Sequence, residues 1–419
     1  MKITIQNKRW RMWILEFFIF ANLIDAAGTL GLKYLSAVLL VLLLLGKRYI
    51  KYEYIECFLF GLCPILLVVY ACVWSKVSIG SAISTVTFCM ALLFSFAIYN
   101  EKIEMEEIAT YFLRIMCFFS VIIICIFIVA YALLMVGQPV LYWRIGGVMQ
   151  NKFQMGFFGY AKMGSLMLPI VYFRCSMFLI FALAIACYYR NKKAMVVILI
   201  ANMMVSTTAN IIFSLAVIIC YLFSTATSKK FKTFLGIVGG CGLLGVIICG
   251  FSIIYNKFGT YIDDLTMQSE SSQIKLGHIT SIFREMFSSV RYFVFGMGGG
   301  ASFYSTGREA ELTSCEVSQL ECWRRFGTIY TLIFFVYIFY VICRMYRLGK
   351  SYKMISIGLL LFFMATASNP QLMSPMFLTI MFMCNKWQKE VRGKLKRRDN
   401  NDISNYTSLQ STRYYHKSC

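Results

Sequence analysis

The chain has 419 residues, of which 59% are hydrophobic and only 14% charged, with a mean hydropathy of +0.69. Soluble domains carry about a quarter charged residues, so this composition excludes an ordinary soluble globular protein. The formal net charge of +22 does not point to nucleic acid either, because the cations sit in short clusters between apolar runs.

Apolar runs of roughly 17 to 25 residues, the length needed to cross a bilayer core, recur along the chain. We read about twelve spans, at 12–31, 33–46, 55–74, 79–98, 111–136, 165–189, 194–208, 210–225, 234–254, 326–343, 354–368 and 371–385. The expected fold is therefore all-α, a polytopic membrane domain over 1–385. Lys8, Arg9 and Arg11 precede the first span and place the N-terminus inside. The clusters Lys47/Arg48/Lys51, Arg190/Lys192/Lys193, Lys229/Lys230/Lys232 and Arg344/Arg347/Lys350/Lys353 then fall on that same side. The first span has no small-x-small cleavage site and reads as a retained helix. Residues 386–419 are basic and then rich in Asn and Ser. They read as a disordered cytoplasmic tail that touches anionic lipid.

This threading leaves two enlarged extracytoplasmic loops, at about 137–164 and 255–325. The second is far longer than connection requires, which marks it as functional. Within it, "GHITSIFREMFSSVRYFVFG" has a helical period: Ile279, Ile282, Phe283, Met286, Phe287 and Val290 share one face. Ser281, Arg284, Ser288 and Arg291 share the other. Arg284 and Arg291 fall on one stripe about 10 Å apart, a spacing that suits a multivalent anion. The other reading is an interfacial helix whose arginines meet lipid head groups.

Gly296, Gly298, Gly299 and Gly300 follow, flanked by Arg291 and Arg308. Such a run bends freely, and its N–H groups are able to cradle an oxyanion. No Gly-Lys-Ser/Thr follows, so it is not a nucleotide P-loop. "TSCE", Thr313 to Glu316, has the spacing of a helix capping box, and Glu316 reads either as that cap or as a general base at the membrane surface. Glu321 is spaced to pair with Arg325. His278, which with His416 makes up the two histidines of the chain, is the second candidate base.

Arg174 falls inside the sixth span, about 14 Å from its outer end. A charge there needs a polar cavity or a partner such as Glu16 or Asp25. Arg144, in the first enlarged loop, completes an outer-face arginine set. Cys315 and Cys322 stand outside the apolar runs and could bridge, whereas most of the other cysteines lie within such runs and behave as small hydrophobes. No DxD pair, His-Glu-x-x-His motif or zinc-ligand spacing occurs. A reaction on a phosphate-bearing substrate, without metal or cofactor, is the chemistry left.

With these features the chain resembles the Wzy-type repeat-unit polymerases of bacterial surface polysaccharides, within the O-antigen polymerase and ligase superfamily. The resemblance rests on the span count, the two enlarged outer loops, Arg291 with "FGMGGGASF" and "EVSQLECWRRFG", and "SNPQLMSPMF" near the end. It implies a glycosyltransferase at the outer face of the bacterial plasma membrane, with both termini cytoplasmic. The growing chain would pass from its undecaprenyl diphosphate carrier to the non-reducing end of a new lipid-linked oligosaccharide. By the same resemblance Arg144, Arg174, Arg284, Arg291 and Arg308, with Gly298, Gly299 and Gly300, hold diphosphate and glycan. His278 or Glu316 activates the acceptor hydroxyl. A chain-length regulator and a flippase of the same pathway are the implied partners. Related ligases carry a histidine near the position of "TSCEVSQLE", which favours polymerase. Ligase-type glycan transfer and flipping of lipid-linked oligosaccharide are the alternatives.

Overall fold

A computed structural model of the chain describes residues 2–101, 103–163, 166–205, 207–226, 270–315, 317–368 and 371–415. The expected span at 234–254, the basic cluster at 229–232 and Glu316 lie outside the described residues. Helix dominates, and the strands among the described residues form two small antiparallel hairpins.

The chain begins with α1 (Lys2–Ile24), α2 (Leu32–Leu45) and α3 (Tyr54–Val73). Then come α4 (Ile79–Ser84), α5 (Ala91–Asn100), α6 (Met105–Met135) and α7 (Pro139–Asn151). A hairpin, β1 (Gly156–Met163) and β2 (Leu166–Phe173), leads to α8 (Phe178–Tyr188), α9 (Lys192–Met204) and α10 (Thr208–Thr225). Next are α11 (Glu270–Ser288), α12 (Val290–Phe295), β3 (Phe303–Ser305) and β4 (Ala310–Leu312). The chain closes with α13 (Ser318–Tyr346), α14 (Lys353–Ala365) and α15 (Pro375–Tyr415).

Among the described residues, α3, α6 and α13 are the helices long and apolar enough to cross a membrane. α6 has 31 residues, and at 1.5 Å each it reaches about 46 Å against a hydrocarbon core of about 30 Å. One stripe, including Ile108, Phe112, Met116 and Ile123, is buried in the bundle. The opposite stripe exposes Phe118, Val121, Ile128 and Val129. A helix that is apolar all round, with large side chains left uncovered, is built for lipid rather than water.

Several expected boundaries move. The run "LMLPIVYF" is a strand, not the start of the sixth span, and it pairs from Leu166↔Met163 to Phe173↔Gly156. Pro169 would remove a helix hydrogen bond, and the β-branched and aromatic residues beside it suit a pleated strand. Gly156 permits the closure, because a methyl group there would lie 1.9 Å from the Tyr172 carbonyl oxygen. α7 covers the hairpin, with the Tyr142 hydroxyl donating to the Ile170 carbonyl at 2.7 Å. Burial, and then neighbouring Tyr160, raises the Tyr142 phenol above its ordinary pKa, so it stays a neutral donor. α8 begins only at Phe178, and its residues are buried from there through Cys187.

The fourth expected span is also interrupted: α4 ends at Ser84, a 3-10 turn covers Thr87–Met90, and α5 resumes. α13 breaks at Gly327, whose φ of 73° and ψ of 179° are not helical. The break lets Val294 pass close by, since a methyl group on Gly327 would lie 2.3 Å from its carbonyl oxygen. At the other end, α15 runs straight through the expected start of a disordered tail. Trp387 and Gln388 are buried, and the Trp387 ring meets Tyr188 and Tyr352 edge-on at 5.4 and 6.0 Å. An indole that packs on two tyrosines holds that part of the basic segment in the folded body.

Candidate functional site

The segment at 270–326, part of the expected outer loop, forms a small lobe of its own. Ile282, Met286, Met297, Phe303 and Cys315 make its core. Arg324 ties the lobe together from a position with no solvent exposure. Its Nε and Nη2 donate to Glu321 at 2.9 and 2.8 Å. Nη1 donates to the Ala301 carbonyl at 2.7 Å and Nη2 to the Thr313 carbonyl at 2.9 Å. Glu321 also accepts from Arg325, as the spacing predicted, and from the Cys315 amide. Cys315 and Cys322 are both buried thiols, and no disulfide joins them.

The glycine run leaves this lobe and presses against the ends of α3 and α4. Gly298 has a φ of 96°, and a methyl group on it would lie 2.9 Å from the Ala71 Cβ. On Gly299 it would lie 2.1 Å from Thr85 Oγ1. The run is stitched from both sides: the Tyr70 hydroxyl donates to the Gly296 carbonyl at 3.1 Å, and the Met297 amide donates to the Arg324 carbonyl at 2.7 Å. Close backbone approach is the reason for these glycines. Gly298 and Gly299 are buried in that contact, and Gly300 is the member that lines open space.

That space is a cavity of about 420 Å³ between the turn after α3 and the glycine segment. Trp74, Ser75, Lys76, Val77, Ser78 and Ser81 form one wall; Tyr292, Met297, Gly300, Ala301 and Ser302 form the other. Ser78 caps α4, accepting from the Ser81 amide at 3.3 Å. Ser75 Oγ is buried without a hydrogen-bond partner among the described residues. Ser302 donates to Glu311 at 2.7 Å, which brings one exposed carboxylate to the rim. Lys76 is exposed on a left-handed backbone, with a φ of 53°. The Arg291 guanidinium sits 5.3 Å from the centre of the Tyr292 ring. Trp74 stacks on Tyr70 at 5.7 Å and remains half exposed. Serine hydroxyls, two aromatic faces, two cations and a carboxylate are a set suited to a hydroxylated, anionic head group.

The predicted residues divide between this site and others. Gly300 lines the cavity, and Arg291 sits next to it, against the ring of the lining residue Tyr292. Arg284 does not share a stripe with Arg291: α11 stops at Ser288, Ser289 is extended at φ −147° and ψ 134°, and α12 starts a new axis. Arg284 is exposed on α11. The expected apolar face also splits, because Ile282 and Met286 are buried while Phe283, Phe287 and Val290 are exposed. Ser281, expected outside, is buried and bonded to the Thr306 amide at 3.0 Å.

His278 is buried at 1% exposure, with Nδ1 2.7 Å from Ser305 Oγ and its ring edge against Phe303. It joins α11 to the β3–β4 hairpin and faces the interior, not an open outer surface. Arg308 is exposed in the turn of that hairpin. Arg174 stands exposed at the end of β2, its amide bonded to the Met155 carbonyl at 2.9 Å, and not deep within a helical span. No salt bridge joins it to Glu16 or Asp25 among the described residues. Arg144 is exposed on α7 beside the same hairpin. No hydrogen bond or salt bridge links these two arginines to the outer lobe among the described residues.

Trp74, Lys76, Ser81, Tyr292, Ser302 and Glu311 escaped the sequence reading. "WSKVSIGS" was legible only as a polar connector between two expected spans, although it carries both a tryptophan and a lysine. A comparison with protein-family models gave no match, and a comparison with curated protein sequences gave none either.

Proposed function

We propose that this protein is a repeat-unit polymerase of a bacterial surface polysaccharide, working at the outer face of the plasma membrane. The polymerase reading takes the chain as about twelve spans with cytoplasmic termini. The observation that carries it is the cavity under the glycine run. Its two walls come from segments 74–81 and 292–302, which the basic-residue threading independently puts on one side of the membrane.

The substrate class is an oligosaccharide on an undecaprenyl diphosphate carrier. Lys76 and Arg291 hold the diphosphate, and their charge stabilises it as it departs. Trp74 and Tyr292 offer flat apolar faces to sugar rings, and the serines offer hydrogen bonds. Glu311 takes the proton of the acceptor hydroxyl. The hydroxyl oxygen then bonds to the anomeric carbon of the growing chain, and the bond from that carbon to the diphosphate breaks, releasing the lipid diphosphate.

The test is a gel of surface glycan and lipid-linked glycan from cells lacking the protein. Single repeat units on the surface without a ladder are expected. Long lipid-linked polymer that never reaches its acceptor would replace this reading with a ligase. Units trapped on the cytoplasmic side would replace it with a flippase.

A further inference from the structure

A second cavity, of about 400 Å³, lies between α3 and the α4–α5 segment. Its lining is apolar throughout and includes Gly61, Pro64, Val68, Ile83, Cys89 and Leu93. Two irregularities open it. α3 contains a π turn at Phe58–Leu62, ending just before Pro64, and the facing chain is broken by the 3-10 turn at Thr87–Met90. Gly61 keeps one wall bare, since even a methyl group there would come within 3.3 Å of Leu92. Ile65, Val69 and Ile83 are 62%, 52% and 52% exposed, so the groove is open along its side.

The two cavities have no lining residue in common, but adjoining stretches of the same two segments line them. Val69 lines the lower one and Trp74 the upper, five residues further along the same chain segment, about 7.5 Å at helical rise. On the facing segment Ile83 lines the lower cavity and Ser81 the upper, two residues apart in α4. An apolar groove therefore ends under a mouth lined by serines and flanked by Lys76 and Arg291. We infer that the pair is one binding site for an amphiphile, entered sideways between α3 and α4–α5, with a long hydrocarbon chain in the groove and an anionic, hydroxylated head in the mouth. The assignment of the head rests on the reading proposed above for the upper cavity. The groove adds where the chain lies and how the lipid enters. Charge complementarity selects the occupant: a neutral lipid of the same length gains nothing from Lys76 or Arg291.

The test uses the full-length protein in nanodiscs and geranylgeranyl diphosphate carrying a photoactivatable group on its chain. Crosslinks to residues 60–69 and 83–96 are expected. Val68→Trp and Ile83→Trp, which fill the groove from opposite walls, are each expected to reduce labelling about tenfold, a change of about 1.4 kcal/mol. Lys76→Ala is expected to reduce labelling by the diphosphate but not by chain-labelled geranylgeraniol. Unchanged thermal unfolding certifies that each variant is folded. Labelling that both tryptophan variants leave intact overturns the proposal, as does equal competition by phosphatidylglycerol, which would mark a general lipid contact. Because binding is read without turnover, loss of crosslinking sinks the groove alone. Normal polymer in cells lacking the protein sinks the polymerase reading and leaves the crosslinks standing.

Discussion

Arg324 and Glu321 share two hydrogen bonds, at 2.9 and 2.8 Å, where neither side chain meets appreciable solvent. The pair does more than neutralise itself, because the same guanidinium holds the carbonyls of Ala301 and Thr313. Removing one member of a buried pair leaves a charge without compensation, at a cost of about 3 to 5 kcal/mol. Arg324→Ala is therefore expected to unfold the outer lobe, with lower abundance and earlier thermal unfolding in detergent. Arg324→Lys is not expected to rescue it, since one ammonium cannot reproduce a planar fork. Wild-type stability in both variants would contradict this account.

The glycine run is tested by a compensating pair. In Gly299→Ala the new methyl group meets Thr85 Oγ1 at 2.1 Å. Overpacking of this kind costs about 1 to 3 kcal/mol and pushes the lobe away from α4. Glycan assembly is expected to fall at least tenfold, by the corresponding shift of the cavity wall. Adding Thr85→Ala removes the obstructing hydroxyl and should restore much of the loss. The double-mutant cycle on polymer yield is the measurement, and simple additivity would refute the contact.

How much of this was legible in the sequence follows from which interactions are local. The helical character of the apolar runs and the Glu321–Arg325 pair are set by neighbours a turn or two away, and they appear as expected. By contrast, three of the twelve expected spans, α3, α6 and α13, are long and apolar enough to cross a membrane among the described residues. The glycine run was visible as an oddity, yet its purpose was not: the atoms that demand it belong to Ala71 and Thr85, more than two hundred residues earlier. Arg174 was misplaced because hydropathy alone does not separate a strand such as "LMLPIVYF" from the start of a span. Pro169 carried that information. His278 looked exposed because a lone histidine in a polar loop gives no sign of a partner such as Ser305, which arrives from a separate hairpin.

His278 is expected to act through structure. His278→Ala leaves Ser305 Oγ without its buried partner, at a cost of about 1 to 3 kcal/mol. The yield of folded protein should drop, while the pH profile of turnover in the folded fraction stays unchanged. Glu311→Gln, at an exposed position, should do the opposite, keeping abundance and removing most turnover. A pH profile that shifts in the histidine variant would return His278 to the chemistry.

Lys76→Ala and Arg291→Ala are each expected to lower chain growth at least tenfold without loss of protein from the membrane, since both side chains are exposed. Arg144→Ala and Arg174→Ala should affect growth less, because the hairpin and α7 hold them apart from the lobe. Measuring ladder length in cells expressing each variant at equal abundance decides it. Equal effects from all four arginine and lysine variants would argue for a single larger anion site.

Glu56 supplies the last test, on the bundle itself. It has no solvent exposure, and three other helices donate to it: Ser95 from α5, Tyr337 from α13 at 2.9 Å and Asn385 from α15 at 2.7 Å. Ionisable side chains buried at membrane depth are rare and tend to be held by such partners. In Glu56→Ala three donors from three helices lose their acceptor together, each at about 1 to 3 kcal/mol. That sum approaches the whole stability of a typical domain, so accumulation of the protein should collapse. Glu56→Gln keeps a carbonyl oxygen for Tyr337 and Asn385, but its amide nitrogen only donates, so the bond to Ser95 persists only with the serine hydroxyl rotated to act as acceptor. The serine hydroxyl can rotate in this way. Near-normal abundance with the glutamine, beside collapse with the alanine, would show that Glu56 holds the four helices by geometry. Collapse with both would mean that the bundle requires the carboxyl group itself.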